Sequence, residues 1–118
     1  AYCEREYAKK GAYFYSSGTP SEMADYSVMS GTFNYAPDLT VNAWRDYLFT
    51  SLNSIWNLTR RSMIFNLMIS EEDKITSQSI SYIRKETILN FCQSNFGATY
   101  EHFSSKLPRE ITFCVSKT

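Results

Sequence analysis

Acid–base chemistry in this sequence would have to begin with His102, the only histidine in the chain. A histidine is suited to act as a general base because its pKa lies near neutrality. His102 falls on a predicted strand near a sheet edge, however, and there a structural or surface role is the alternative that we favour. Glu110 and Asp25 are possible acids or bases without any distinguishing context. We therefore keep His102 as a candidate base and assign no catalytic residue.

Other reaction classes lack their usual residue constellations. The three cysteines, Cys3, Cys92 and Cys114, form no C-x-x-C pair. Their odd, scattered count fits a reduced cytosolic protein, so we expect a cytoplasmic location. Cys92 and Cys114 stand in apolar surroundings and are interpreted as small core residues. The lone histidine and the absence of a G-K-[ST] sequence argue against metal hydrolysis, nucleophilic serine or cysteine chemistry and P-loop chemistry, and we expect no metal site.

Length and composition predict one packed domain over residues 1–118. The chain is 43% hydrophobic and 16% aromatic, well above the range of disordered segments. Twelve basic residues balance twelve acidic ones, which gives no indication of attraction to nucleic acid or to anionic lipid. No apolar run approaches the roughly 20 residues needed to span a bilayer. We therefore expect neither nucleic acid nor a membrane as a partner, and a substrate held in a local pocket remains possible.

Hydrophobic spacing predicts alternating helices and strands. The clearest helix begins after the cap residue Thr40, with apolar residues at steps of three and four from Val41 to Ile55. The almost continuously apolar run 63–69 is typical of a strand in the middle of a sheet covered by helices on both faces. The other predicted elements are helices over residues 3–10 and 85–96, strands over 12–15 and 25–30, and an antiparallel strand pair over 99–103 and 110–115. This alternation predicts an α/β sheet sandwiched between helices.

Two parts of the chain carry a resemblance to a known family. The first, Asp25-Tyr26-Ser27-Val28-Met29-Ser30-Gly31-Thr32-Phe33-Asn34, reads as acidic-aromatic-apolar, then small residues, glycine and Phe-Asn. This pattern is similar to the fourth strand and following loop of class I S-adenosylmethionine-dependent methyltransferases. The second part, residues 82–96, His102 and residues 107–113, resembles the tail of one bacterial and archaeal branch of that family. The resemblance implies a partial Rossmann-like methyltransferase sheet flanked by helices, ending in an antiparallel strand pair, and transfer of a methyl group to a small-molecule acceptor.

The resemblance also implies two loops that bind S-adenosylmethionine at the carboxyl ends of the strands. The loop that would approach the adenine consists of Ser16, Ser17 and Gly18. The loop that would lie beside the methionine end of the cofactor and the substrate consists of Ser30, Gly31, Thr32, Phe33 and Asn34. In this second loop Gly31 permits close backbone approach, Ser30 and Asn34 offer hydrogen bonds, and Phe33 can wall the pocket. The alternative is an ordinary turn that Asn34 caps.

The chain departs from the family's pattern because it lacks the glycine-rich N-terminal half that binds the cofactor. The family's first strand carries a G-x-G-like loop and its second ends in a ribose-binding acid, whereas the four glycines here are far apart and form no G-x-G. Without those two strands, the strand over 25–30 would have a free edge with unpaired backbone groups. We therefore expect residues 1–118 to be the C-terminal part of a methyltransferase domain, inactive alone. Its sheet would be completed by a missing N-terminal half or by another copy in a homodimer.

Two further functions remain open from the sequence. One is a non-catalytic interaction domain or pseudo-methyltransferase that has kept the fold and lost cofactor binding. The other is a small α/β binding module unrelated to methyl transfer, which a stably folded monomer would support. The sequence gives no basis for choosing an oxygen, nitrogen or carbon atom as the methyl acceptor.

Overall fold

The computed structural model describes residues 23–117, which form two helices and six strands. The strands are β1 (Ala24–Met29), β2 (Thr59–Met68), β3 (Lys74–Ile75), β4 (Ser81–Tyr82), β5 (Thr99–Phe103) and β6 (Glu110–Ser116), and the helices are α1 (Val41–Asn57) and α2 (Lys85–Asn95). The predicted helix over 3–10, the predicted strand over 12–15 and the loop Ser16-Ser17-Gly18 lie outside the described residues. Neither of the two described helices is long and apolar enough to cross a membrane.

Four strands form a mixed sheet in the order β1-β2-β6-β5. β1 and β2 are parallel, whereas β6 runs antiparallel to both of its neighbours, β2 and β5. The predicted antiparallel pairing of the last two strands is confirmed. Because β1, β2 and β5 all point in one direction, their carboxyl ends lie at the same edge of the sheet. β3 and β4 pair with each other in a separate short hairpin, where the sequence predicts only a polar loop over residues 70–81.

α1 is fixed by a capped start, a buried stripe and a cation at its end. Thr40 Oγ1 accepts a hydrogen bond from the Ala43 backbone N–H over 3.1 Å, as expected for an N-cap threonine. Of the predicted stripe, Trp44, Leu48, Leu52 and Ile55 are buried, whereas Val41 is only partly buried. At the other end the Lys117 ammonium group donates to the backbone carbonyls of Trp56 and Thr59. This contact places a positive charge at the carboxyl end of the helix, where it interacts favourably with the helix dipole.

β2 begins earlier than the hydrophobic pattern predicts. The sequence predicts that Arg60-Arg61-Ser62 ends the helix and that the strand follows it, but the strand already begins at Thr59. Pairing with both neighbours explains the difference, since Thr59 lies opposite Ala24 of β1 and Ser62 lies opposite Ser116 of β6. Backbone hydrogen bonds form whatever the polarity of the side chain, so they extend the strand through polar residues.

Both helices pack against the same face of the sheet. Alternate residues of β2 and β6 share one core cluster with buried residues of both helices, and these strand residues are Met63, Phe65, Leu67, Ile111, Phe113 and Val115. The helices also contact each other, with the rings of Phe49 and Phe91 stacked at a centroid distance of 4.0 Å. The intervening β2 residues Ile64, Asn66 and Met68 are only partly buried. The sequence predicts a sheet sandwiched between helices, but within residues 23–117 helices cover one face alone.

The connection between β2 and α2 is held by Asp73. Its carboxylate accepts hydrogen bonds from Arg45 Nη1 over 2.5 Å and from the Arg84 backbone N–H over 2.8 Å. Arg45 belongs to α1 and Arg84 directly precedes α2, so one carboxylate links the connection to both helices. The Asp73 side chain is only 12% exposed, and salt therefore screens this ion pair less than a surface pair.

Candidate functional site

Loop 30–34 follows β1 at the sheet edge where β1 and β2 both end. Gly31 in this loop has a φ of +69°, in the left-handed region that favours glycine. A Cβ added to Gly31 would meet no heavy atom within 4 Å, so open space adjoins the backbone at this point. The loop therefore leaves room for a ligand to approach its backbone closely.

The side chain of Asn66, in β2, holds the start of this loop. Its Oδ1 accepts a hydrogen bond from the Gly31 backbone N–H over 2.7 Å, and its Nδ2 donates to Ser30 Oγ over 3.2 Å. Because a backbone N–H can only donate, the oxygen of the amide must face Gly31 and the nitrogen must face Ser30. Sequence reasoning missed Asn66. A polar residue inside the otherwise apolar run 63–69 was the signal that could have identified it.

Phe33 anchors the middle of the loop in the protein core. Its side chain is 2% exposed, and its ring meets the Tyr47 ring edge-on at a centroid distance of 6.3 Å. Its backbone carbonyl accepts two hydrogen bonds, from Trp44 Nε1 over 3.1 Å and from Ser81 Oγ over 2.6 Å. Phe33 therefore supports the loop from inside, and the sequence expectation that it walls a ligand pocket is not what this burial indicates.

Asn34 brings a buried acceptor to the end of the loop. Its backbone carbonyl accepts a hydrogen bond from the Ser81 N–H over 2.9 Å, and its own N–H donates to the Gly31 carbonyl over 3.4 Å. Its side-chain Oδ1 is buried and has no hydrogen-bond partner in the described part of the chain. A buried acceptor of this kind is unfavourable unless a donor reaches it. This oxygen is thus a candidate contact for a donor group of a bound molecule.

The exposed part of loop 30–34 consists of Ser30, Gly31 and Thr32. Since Ser30 Oγ already accepts a hydrogen bond from Asn66, its hydroxyl hydrogen is available to donate outward. The loop therefore presents a hydroxyl donor and an open glycine backbone, with the unpartnered oxygen of Asn34 behind them. This arrangement can bind a small polar group that has both an acceptor and a donor.

His102 lies on the same sheet face as Asn66 but not in contact with it. It is exposed on β5 and lies opposite Thr112 of β6, which in turn lies opposite Asn66 of β2. Two interstrand spacings separate His102 from Asn66, about 10 Å. The structure thus brings Ser30 and Gly31 together with Asn66 and leaves His102 two strands away, while Ser16, Ser17 and Gly18 lie outside the described residues.

Two open clefts adjoin the carboxyl end of β2. The larger has a volume of about 610 Å³ and is lined by Ile69, Ser70, Glu71, Glu72, Lys74 and Arg109. The smaller, of about 250 Å³, is lined by Met68, Leu107, Pro108, Arg109 and Glu110. Small-molecule sites usually have volumes of about 300–1,000 Å³. The larger cleft is in that range, and it lies at the carboxyl edge of the sheet, although no residue of loop 30–34 lines it.

Cys92 is excluded as a nucleophile by its burial. The side chain belongs to the core cluster, as the sequence predicts, and burial raises the pKa of its thiol to about 12. The thiol therefore stays protonated at neutral pH. Cys114, which the sequence also assigns to the core, is only partly buried and lies on the opposite sheet face. In the described residues, no three His, Cys, Asp or Glu side chains lie close enough together to hold a metal ion.

Comparison of the chain with protein-family models, with curated proteins and with solved structures found no match. Its function must therefore be argued from its own residues and from the geometry of the sheet edge. The features that bear on function are the strand order, loop 30–34 with Asn66, and the clefts beyond β2.

Proposed function

We propose that this chain is the substrate-side portion of a class I S-adenosylmethionine-dependent methyltransferase that acts on a small molecule. The observation that carries the proposal is the direction of the last strand. β1, β2 and β5 run parallel, and β6 runs antiparallel between β2 and β5. The resemblance of the sequence to that family implies a final strand of this kind, antiparallel to the rest of a Rossmann-like sheet.

The position of loop 30–34 supports the same proposal. Ligands of open α/β sheets bind beyond the carboxyl ends of the strands, and this loop begins at the carboxyl end of β1. Asn66 holds Ser30 and Gly31 in place through two hydrogen bonds. The loop is therefore preorganised, which reduces the entropy lost when a ligand binds.

The residues of the loop fit the methionine end of S-adenosylmethionine in chemical type. That end has a carboxylate, which accepts hydrogen bonds, and an ammonium group, which donates them. Ser30 offers a hydroxyl donor and Asn34 offers a buried, unpartnered oxygen. When bound, the cofactor supplies a methyl group on a sulfonium, and the task left to the protein is to align that methyl with the acceptor. In this chain Ser30, Gly31 and Asn34 would orient the cofactor.

The second candidate function is a non-catalytic domain that kept the sheet and lost cofactor binding. The absence of any G-x-G in the chain favours it, because close approach of backbone to phosphate or sugar groups usually requires such glycines. The two functions differ in one measurable property, namely whether the folded chain binds S-adenosylmethionine at loop 30–34.

Calorimetric titration of S-adenosylmethionine into residues 1–118 tests the proposal, once circular dichroism has shown that the chain is folded. We expect saturable binding that Ser30→Ala weakens by about tenfold, the usual loss when one hydrogen bond to a charged group is removed. Ser94→Ala makes the same chemical change at an exposed position of α2 and should leave the affinity unchanged. A folded chain that gives no heat at millimolar cofactor contradicts cofactor binding by loop 30–34 alone, and it fits either a part that needs the missing N-terminal half or the non-catalytic domain.

A further inference from the structure

Among residues 23–117, the outer edge of β1 has no partner strand. β1 pairs with β2 on one side, and no strand within residues 23–117 pairs with its other side. The Ala24 N–H donates to the Leu58 carbonyl over 2.9 Å, towards β2. Since backbone groups alternate in direction along a strand, those of Asp25, Ser27 and Met29 point to the outer edge. Such a row of free N–H and C=O groups is a template for a further strand.

Both edge strands of the sheet carry one acidic residue in an ion pair, but only that of β5 is tied to a helix. β5 carries Glu101 and His102, and Glu101 is paired with Lys85 of α2 over 3.3 Å. Charged residues on an edge strand are a common protection against association. Like β5, β1 contains neither lysine nor proline, and its one charged residue, Asp25, is paired with Arg60 of β2 over 3.2 Å.

Two apolar side chains stand exposed on β1 next to this edge. Tyr26 is 57% exposed and Val28 is 67% exposed. They are two residues apart, so both lie on the sheet face that no described helix covers. An exposed apolar pair beside a strand edge that no described strand covers marks this strand as an interaction surface.

We propose that β1 pairs with β1 of a second copy of this chain, antiparallel, about a twofold axis that passes between the two Ser27 residues. This register places the outward backbone groups of the two Ser27 residues opposite each other, as an antiparallel ladder requires. Tyr26 of each copy then lies opposite Val28 of the other copy, an aromatic and β-branched pair of the kind that stabilises neighbouring strands.

The charges of the chain favour a second copy as the occupant. In this register Asp25 lies opposite Met29 of the other copy, so no like charges meet across the new pairing. The net formal charge of the whole chain is zero, and two copies therefore do not repel each other at long range. A twofold, self-complementary contact is also the commonest symmetry of protein dimers.

The geometry of the contact also sets its strength. An axis perpendicular to the sheet joins two four-stranded sheets into one continuous sheet, with the helices of both copies on the same face. Pairing along one six-residue strand buries less area than the roughly 1,200 Å² of a standard stable interface. The dimer is therefore weak, and its population rises with protein concentration.

Sedimentation velocity of residues 1–118 over a wide concentration series tests the pairing and its register. Tyr26→Lys/Val28→Lys places two like-charged pairs across the axis, and we expect the dimer dissociation constant to rise about tenfold or more. Tyr26→Asp/Val28→Lys places opposite charges there and should retain the dimer. Tyr100→Lys, at an exposed tyrosine on the same sheet face of β5, is the matched control and should also retain the dimer. The three substituted side chains, Tyr26, Val28 and Tyr100, are exposed, so the variants should fold, which circular dichroism checks.

Three outcomes would overturn the proposal. The first is a chain that is monomeric at every concentration. The second is equal dissociation of both β1 double variants, because only the proposed register brings residue 26 opposite residue 28. The third comes from hydrogen exchange of the Ser27 and Met29 amides. If these amides are strongly protected, and equally so at low and at high protein concentration, another part of the same chain covers the edge. None of these measurements involves S-adenosylmethionine, so their failure is separate from failure of the proposed function.

Discussion

Asn66 Oδ1 accepts a hydrogen bond from the Gly31 backbone N–H over 2.7 Å, and this contact ties the second strand to the loop after the first. The two residues are 35 positions apart in the chain. They meet only because β1 and β2 lie side by side with their carboxyl ends at one edge. The shape of the candidate site therefore depends on the sheet and not on the loop sequence alone.

Replacing Asn66 should loosen this loop and destabilise the protein. Asn66→Ala removes both hydrogen bonds, and we expect a loss of about 1–2 kcal/mol in the free energy of unfolding, measured by urea denaturation. Asn66→Asp keeps an acceptor for Gly31 and should lose less. Asn90→Ala makes the same change at an exposed position of α2 and serves as the control. Equal stability of Asn66→Ala and Asn90→Ala would contradict the assigned contact.

Gly31 and Gly97 should respond differently to substitution. Both have positive φ, +69° and +124°, and at neither would a new Cβ meet an atom within 4 Å. Backbone conformation alone then determines the cost. Gly31→Ala should cost about 1–2 kcal/mol, and Gly31→Asn less, because asparagine tolerates the left-handed region. At Gly97 the asparagine variant should lose as much stability as the alanine variant, since a φ of +124° lies outside the left-handed region. Thermal unfolding of the four variants measures this difference.

The Phe33 carbonyl provides a test of a buried hydrogen-bond pair. Trp44→Phe and Ser81→Ala each leave this carbonyl with one of its two donors. The double variant leaves it with neither, in a site where both donor residues are at most 2% exposed. We expect the double variant to lose about 1–2 kcal/mol more than the sum of the single variants. Additive losses in urea unfolding would show that the two donors are independent.

Stability should fall at high pH because of Cys92. Burial raises the pKa of its thiol from 9.0 to about 12. Between these values the unfolded chain has released a proton that the folded chain still holds, so the free energy of unfolding decreases by about 1.4 kcal/mol per pH unit. The contribution is complete below pH 9 and declines as the pH rises towards 12. Urea unfolding of the native chain and of Cys92→Ala isolates it, since only the native chain should have this slope. Parallel pH profiles would rule out the shift.

Much of the fold was predictable from local patterns. The helix after Thr40 followed from its cap and from apolar spacing at three and four residues, and it spans Val41–Asn57. The last two strands and their antiparallel pairing were predicted from two strand-like segments, 99–103 and 110–115, joined through Leu107-Pro108. Each of these signals lies within one segment of chain, because capping and side-chain periodicity are local properties.

The site was only partly predictable for the same reason. Loop 30–34 was identified from its residue types, but whether each side chain faces solvent or the core depends on neighbours far along the chain. The Phe33 side chain belongs to the core cluster, and its carbonyl accepts hydrogen bonds from Trp44 and Ser81, which lie 11 and 48 positions away. The structure also adds Asn66 to the candidate site, although in the sequence it is a single polar residue within the apolar run 63–69.

The sequence by itself determined the two described helices, the four strands of the main sheet to within a few residues, and the apolar side of each helix, but not the hairpin of β3 and β4. The tertiary structure decided which other elements the apolar faces pack against. It extended β2 back to Thr59 through pairing with two neighbours, placed both helices on one sheet face, and left the outer edge of β1 unpaired within residues 23–117. The physical reason is that periodicity records only that a surface must be buried, whereas the partner and register are set by hydrogen bonds and packing between residues distant in the chain.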